Sequence, residues 1–96
     1  MDLRFEWSEH KARANLSKHG VSFDEARTVF LDEDALLLHD AEHSEDEQRF
    51  VLLGLSSYLR TLVVCHCYQN DERIRIVSAR KANRRELEQY AERRTQ

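Results

Sequence analysis

The stretch from Arg49 to Lys81, RFVLLGLSSYLRTLVVCHCYQNDERIRIVSARK, constrains the fold most. It holds three runs rich in Val, Ile, Leu or aromatic residues: Phe50 to Leu55, Thr61 to Tyr68 and Arg73 to Ala79. Turn-prone residues, Ser56-Ser57 and Gln69-Asn70-Asp71, separate them in the manner of successive strands. Both links are short, and short links join antiparallel neighbours, so an antiparallel meander is expected. The first two runs are apolar on both parities, which predicts cover on both faces. The third alternates, with Ile74 and Ile76 on one face, Arg73 and Arg75 on the other, and Val77 after them. A row of arginines on a sheet is either an ordinary solvated face or a surface for a polyanion.

Around this stretch the pattern is helical at both ends. Leu3, Phe5 and Trp7 alternate with Arg4 and Glu6, which predicts a short first strand. Ser8 is placed to cap a helix running to about His19, with Gly20 as its terminator. Ala12, Leu16 and His19 form its thin inward stripe, and Lys11, Asn15 and Lys18 share a face assigned to solvent. Ser22-Phe23-Asp24-Glu25 has the spacing of a capping box and opens a second helix through about Leu31. Phe23, Ala26 and Phe30 point inward there, with Val29 beside them. Ala35 to His39 reads as another strand, and HDAEHSEDEQ after it as a solvated loop. Ala82 to Arg94 reads as a last helix, capped by Asn83, with Leu87, Tyr90 and Ala91 inward. The result is an α+β chain: a small antiparallel sheet carrying two N-terminal helices and a C-terminal helix.

The length of 96 residues fits one domain, 1–96, and a 41% hydrophobic fraction is enough for one modest core. No apolar run approaches the ~20 residues of a membrane span. The start, MDLRFEWSEH, lacks the basic and apolar regions of a secretory signal, so the cytoplasm is the expected location. Cys65 and Cys67 flank His66 on one strand, about 7 Å apart on a common face, which suits two small buried groups rather than a disulfide. His39 and His43 lie near Asp40 and Glu42, but no helix or strand fixes them, and no metal or cofactor is expected.

The net charge of −3 argues against a generic nucleic-acid binder. Its layout is more informative. Residues 32–47 hold eight acids and no Lys or Arg, whereas residues 71–96 hold eight bases against five acids. Arg84 and Arg85 fall in the first turn of the last helix, where the helix dipole disfavours positive charge. Cations placed against that preference point to anion binding.

Three sets of residues carry a resemblance to a known family, the BrnT toxins of bacterial type II toxin–antitoxin modules. The first is Phe5, Glu6 and Trp7, then Lys11, Asn15 and KHGVSFDEA from Lys18 to Ala26, then Val29 and Phe30. The second is Glu47, Arg49 and Phe50. The third is Leu62-Val63-Val64 with IRIVSARKA from Ile74 to Ala82, then Glu86 and Tyr90. The resemblance spans nearly the whole chain in order. Family members often carry Gly in the turn before the LVV strand. Here that turn reads Ser57-Tyr58-Leu59-Arg60, so a wider turn is expected.

The resemblance implies a RelE-like fold and an endoribonuclease that inhibits translation. It implies neutralisation by a BrnA-type DNA-binding antitoxin in a hetero-oligomer, with operator DNA reached only through the antitoxin. RNA cleavage without metal uses the adjacent 2′-hydroxyl as nucleophile, a base for its proton, and cations for the crowded phosphate. Arg75 and Arg80 are the first candidates for phosphate, followed by Arg49 and Arg73. His66 is the acid–base candidate by its chemistry, with Lys18 and His19 as alternatives. Glu47 would serve as base if it lay near Arg49. Lys18, His19 and Lys81 are also expected to bind RNA, and Arg84 and Arg85 to meet RNA backbone or the antitoxin. Two rivals remain: a catalytically inactive toxin-fold module that acts with its antitoxin in transcriptional autoregulation, and an unrelated small nucleic-acid binder.

Overall fold

The computed structural model describes residues 3–96. Five strands, β1 (Arg4–Glu6), β2 (Leu36–His39), β3 (Phe50–Leu55), β4 (Thr61–Tyr68) and β5 (Arg73–Lys81), form one sheet in the order β1-β5-β4-β3-β2. The expected meander is present, since β2, β3, β4 and β5 pair antiparallel in succession. β1 joins the far edge parallel to β5, so the sheet as a whole is mixed. The helices α1 (Glu9–His19) and α2 (Phe23–Thr28) follow β1, and α3 (Arg84–Arg94) closes the chain. No described helix is long and apolar enough to cross a membrane.

The first two helices cover one face. Ser8 and Ser22 cap them, their side chains accepting from the Lys11 and Glu25 N–H groups. Gly20, at φ 69°, ends α1 in the left-handed conformation that glycine adopts without a Cβ penalty. Phe23, Ala26 and Val29 pack on Leu52, Leu62, Val64, Ile76 and Ala79 of the sheet, as the apolar stripe of α2 requires. A 3-10 turn, Val29–Leu31, replaces the last turn expected of α2.

α1 docks differently from its apolar stripe. Leu16 is 52% exposed, whereas Asn15 is buried. The Asn15 amide donates to the carbonyls of Val21 (2.9 Å) and Ala79 (2.8 Å), and its oxygen accepts from the Ala79 N–H at 3.0 Å. A polar side chain thereby pins α1 to β5, and burial costs it little because each polar atom is satisfied.

Gly54 in β3 has a steric reason. A Cβ there would meet Ala35 Cβ at 2.8 Å and both Asp32 Oδ2 and Val29 Cγ1 at 2.9 Å. The turn between β3 and β4 is compact rather than wide. Ser56 N–H donates to the Arg60 carbonyl at 2.8 Å, and Leu59 N–H to the Ser56 carbonyl at 2.9 Å. Leu59 sits at φ 62°, the left-handed position a three-residue hairpin loop demands. The Glu25 carboxylate braces this turn. It accepts from Ser56 Oγ (2.7 Å) and from Arg60 Nε (2.9 Å) and Nη2, while Arg60 Nη2 also reaches the Gly20 carbonyl. The expected capping box is thus half formed: Ser22 caps α2, but the Glu25 side chain serves the turn instead.

α3 covers only one end of the opposite face. Tyr90 packs with Leu53 and Val63, while Leu87, expected inward, is 46% exposed. Polar contacts hold the helix where apolar area is short. Tyr90 Oη donates to Asp32 Oδ2 at 2.5 Å, and burial together with that carboxylate pushes the phenol up to about 12. Asn83 and Glu86 form a complete capping box.

Candidate functional site

The rest of the face under α3 is open. What stands on it depends on a β-bulge. The β4–β5 register shifts between Cys65 and His66, so that Cys67 faces Arg75, Cys65 faces Ser78 and Val63 faces Arg80. Alternation alone would send Arg80 to the side opposite Arg75. The bulge at Val77 inserts one residue and returns Ser78 and Arg80 to the face of Arg73 and Arg75. The arginines of β5 therefore share the open face.

They differ in how they are held. Arg73 Nε lies 3.4 Å from Glu6, and Arg75 is hydrogen-bonded to Glu47. Arg80 donates from Nη1 and Nη2 to both oxygens of Glu86, at 2.8 and 2.9 Å. That fork holds the Glu86 carboxyl below the usual carboxylate range. Arg49, at the head of β3, has no ion pair among the described residues, and its buried Nε–H has no hydrogen-bond partner. A buried guanidinium N–H without an acceptor is costly in a protein.

Arg49 and Arg80 line one cleft of about 230 Å3, together with Asp40, His43, Cys65 and Ser78. A second hollow of about 290 Å3 adjoins it, where His43 and Arg49 meet the acidic loop residues Glu42, Glu45, Asp46 and Glu47. Burial pushes the Cys65 thiol up, so it stays protonated at neutral pH. The loop is not loose at its ends. Ser44 Oγ donates to the Asp40 carbonyl (2.6 Å) and accepts from Arg49 N–H (2.9 Å), and Asp40 N–H donates to the Arg49 carbonyl (2.9 Å). His43 is fixed to Asp40 by its Nδ1, 3.0 Å from Oδ2 and 3.2 Å from Oδ1. The sequence offered this pair only as possible metal ligands. Among the described residues no three His, Cys, Asp or Glu side chains converge as a metal would require.

The other candidates lie elsewhere. His66 is on the helix side of the sheet, 0% exposed, between Phe30, Phe50 and Tyr68. Its Nδ1–H donates to the Val64 carbonyl at 3.0 Å, which leaves Nε2 to accept from Tyr68 Oη at 3.2 Å. Burial lowers its pKa, so the ring is a neutral core group with no path to the arginines. Lys81 shares the helix side with its partner Leu62, and Lys18 and His19 close α1 on that side. Arg84 and Arg85 are exposed at the start of α3, outside the cleft, and Arg84 lies 3.7 Å from Glu88. The structure thus brings together Arg49 and Arg80, sets Arg75 and Arg73 beside them on the open face, and separates His66, Lys18, His19 and Lys81 from them.

The chain matches, over residues 7–86, the family model described as "Ribonuclease toxin, BrnT, of type II toxin-antitoxin system". Its fold is similar to the 1.1 Å crystal structure of the Brucella abortus ribonuclease toxin, BrnT. The TM-score is 0.66 at 21% sequence identity, over 85% of this chain and 99% of that one. None of the curated proteins compared with the chain matches it significantly.

Proposed function

Since the chain belongs to the BrnT family of ribonuclease toxins of type II toxin–antitoxin systems, we propose that it cleaves RNA in the cleft between Arg49 and Arg80. The observation that carries this placement is a cleft lined by two arginines, of which Arg49 has no ion pair among the described residues and no protein acceptor for its buried Nε–H. A phosphodiester entering the cleft would meet both cations. Arg49 supplies in-plane donors to the non-bridging oxygens, Arg80 adds the N–H groups that its bond to Glu86 leaves free, and together they neutralise the charge that builds as a fifth oxygen approaches phosphorus. Arg75 is a further ligand once phosphate displaces Glu47. Arg73 extends the track along β5.

The reaction we assign is attack by the adjacent 2′-hydroxyl, which requires no metal. Such cleavage in the cytoplasm would inhibit translation. A BrnA-type DNA-binding antitoxin would neutralise the toxin in a hetero-oligomer, and operator DNA would be met only through that antitoxin.

The test is cleavage of a naked structured RNA by the purified, antitoxin-free protein in EDTA. Products with 2′,3′-cyclic phosphate and 5′-hydroxyl ends are expected, at a rate that falls as salt rises. Ends bearing 5′-phosphate, or cleavage only with added divalent metal, would sink the 2′-hydroxyl mechanism. An inert protein would favour the catalytically inactive module that binds an antitoxin and regulates transcription.

A further inference from the structure

We propose that His43, oriented by Asp40, is the general base that takes the proton from the attacking 2′-hydroxyl, a role that rests on the ribonuclease reading above. His43 lines both hollows that meet at Arg49, so its ring borders the place assigned to phosphate. Its side chain is 60% exposed, whereas the Asp40 side chain beneath it is 17% exposed. The carboxylate is thus the buried partner and the imidazole the one that meets substrate. Nδ1–H donates to Asp40, which fixes the tautomer and leaves Nε2 with a lone pair directed away from that bond. Asp40 is itself held, by its backbone bonds to Arg49 and Ser44. One short loop therefore joins the head of β3, with its phosphate donor, to an imidazole with a defined acceptor nitrogen.

Glu42, Glu45 and Asp46 line the adjoining hollow but not the cleft that holds Arg80, and the remaining acid–base groups nearby are committed. The Glu47 carboxylate is bonded to Arg75, burial keeps the Cys65 thiol protonated, and His66 lies behind the sheet. In the step itself Nε2 accepts the 2′-hydroxyl proton as the O2′–P bond forms. The P–O5′ bond breaks, and the leaving 5′-oxygen takes a proton from water. The resulting imidazolium, stabilised by the Asp40 carboxylate, returns its proton to water. Asp40 touches no reacting atom and is a positioning residue.

The test uses the full chain, steady-state cleavage of naked RNA in EDTA, and four proteins: wild type, His43→Ala, His43→Gln and Asp40→Asn. Both His43 variants should lose about 10²- to 10⁴-fold in the rate at saturating RNA, with KM little changed. Asp40→Asn should lower the same rate by less, again at constant KM. Added imidazole should restore cleavage to His43→Ala, because the space left by the ring admits a free base. Wild type that does not cut overturns the ribonuclease reading, and this assignment with it. Wild type and both His43 variants cutting equally fast overturns the His43 assignment alone. So does a folded, inactive His43→Ala that imidazole fails to restore.

Discussion

Arg49→Ala is expected to slow cleavage of naked RNA by about 10²- to 10³-fold, the cost of removing one preorganised donor from a developing charge. Stability should change little, because the lost side chain leaves behind no acceptor that it had been satisfying: its Nε–H bonds to nothing. Arg49→Lys keeps the charge and loses the planar fork, so RNA affinity should recover more than rate. Arg73→Ala provides the contrast. Arg73 stands on the same face but pairs with Glu6 and lies outside the cleft, so its loss should weaken binding most at low salt, flatten the salt dependence and leave the saturated rate near wild type. Rates for the three variants, measured with saturating RNA beside their urea midpoints, check this. Equal rates for Arg49→Ala and wild type would remove phosphate from the cleft.

The largest effect on stability is expected at Arg60. Its guanidinium holds the Glu25 carboxylate, whose side chain is 2% exposed. Arg60→Ala leaves that charge buried with Ser56 Oγ as its remaining side-chain donor. Breaking such a pair from one side costs about 3–5 kcal/mol, and Arg60, itself a third exposed, places the value toward the lower end. The hydrogen bonds from Arg60 hold the Glu25 pKa below its ordinary 4.5. In wild type the pair therefore contributes fully above about pH 4.5 and its contribution fades as pH falls through the lowered folded value. In the variant desolvation, the Ser56 hydrogen bond and the charge of Lys81 remain, and desolvation, the largest of them, raises the carboxyl pKa. Protonation then relieves the variant at a pH where wild type is still intact, so the stability gap should narrow on acidification. Urea unfolding of both proteins at pH 7 and pH 4 reads this directly. A gap that is small at pH 7, or that widens at pH 4, would contradict it. Glu25→Gln with Arg60 retained should cost less, since a neutral amide can stay buried.

The order of strands and helices was legible because each element carries its own local signals. Three apolar runs with short links specify a meander, and Ser8, Ser22, Gly20 and Asn83 mark helix ends by chemistry that acts within four residues. Long-range partners left no such mark. Asn15 reads as a polar position on a solvent face, and only the approach of Ala79, 64 residues away, makes it a pin. Glu25 has the spacing of a capping box, but Arg60 and Ser56 compete for its carboxylate and win. Leu87 and Leu16 fit helical stripes that the docking of α3 and α1 leaves in water.

The site shows the same limit. Arg49, Arg75 and Arg80 were legible as an arginine set, yet strict alternation divides Arg75 from Arg80. The bulge at Val77 reunites them, and nothing in RIVSARK announces it. His66 attracts attention as a histidine flanked by cysteines, although its parity with Leu62 and Val64 already places it with the core. His43 lies in a segment whose acidic composition reads as solvent. Its value comes from Asp40 and Ser44, which tie the loop to Arg49 and become visible only in three dimensions.

The central claim is that RNA phosphate occupies the cleft at Arg49. The most direct measurement is the Nε–H resonance of Arg49 in a 15N NMR titration with 2′-O-methylated RNA, which keeps the phosphate backbone and cannot be cleaved by 2′-attack. The account predicts a saturable shift and slowed solvent exchange of that resonance, with Arg80 moving in step. An Arg49 resonance that stays still while Lys18, His19 and Lys81 shift would put the RNA on the helix side of the sheet and contradict the account.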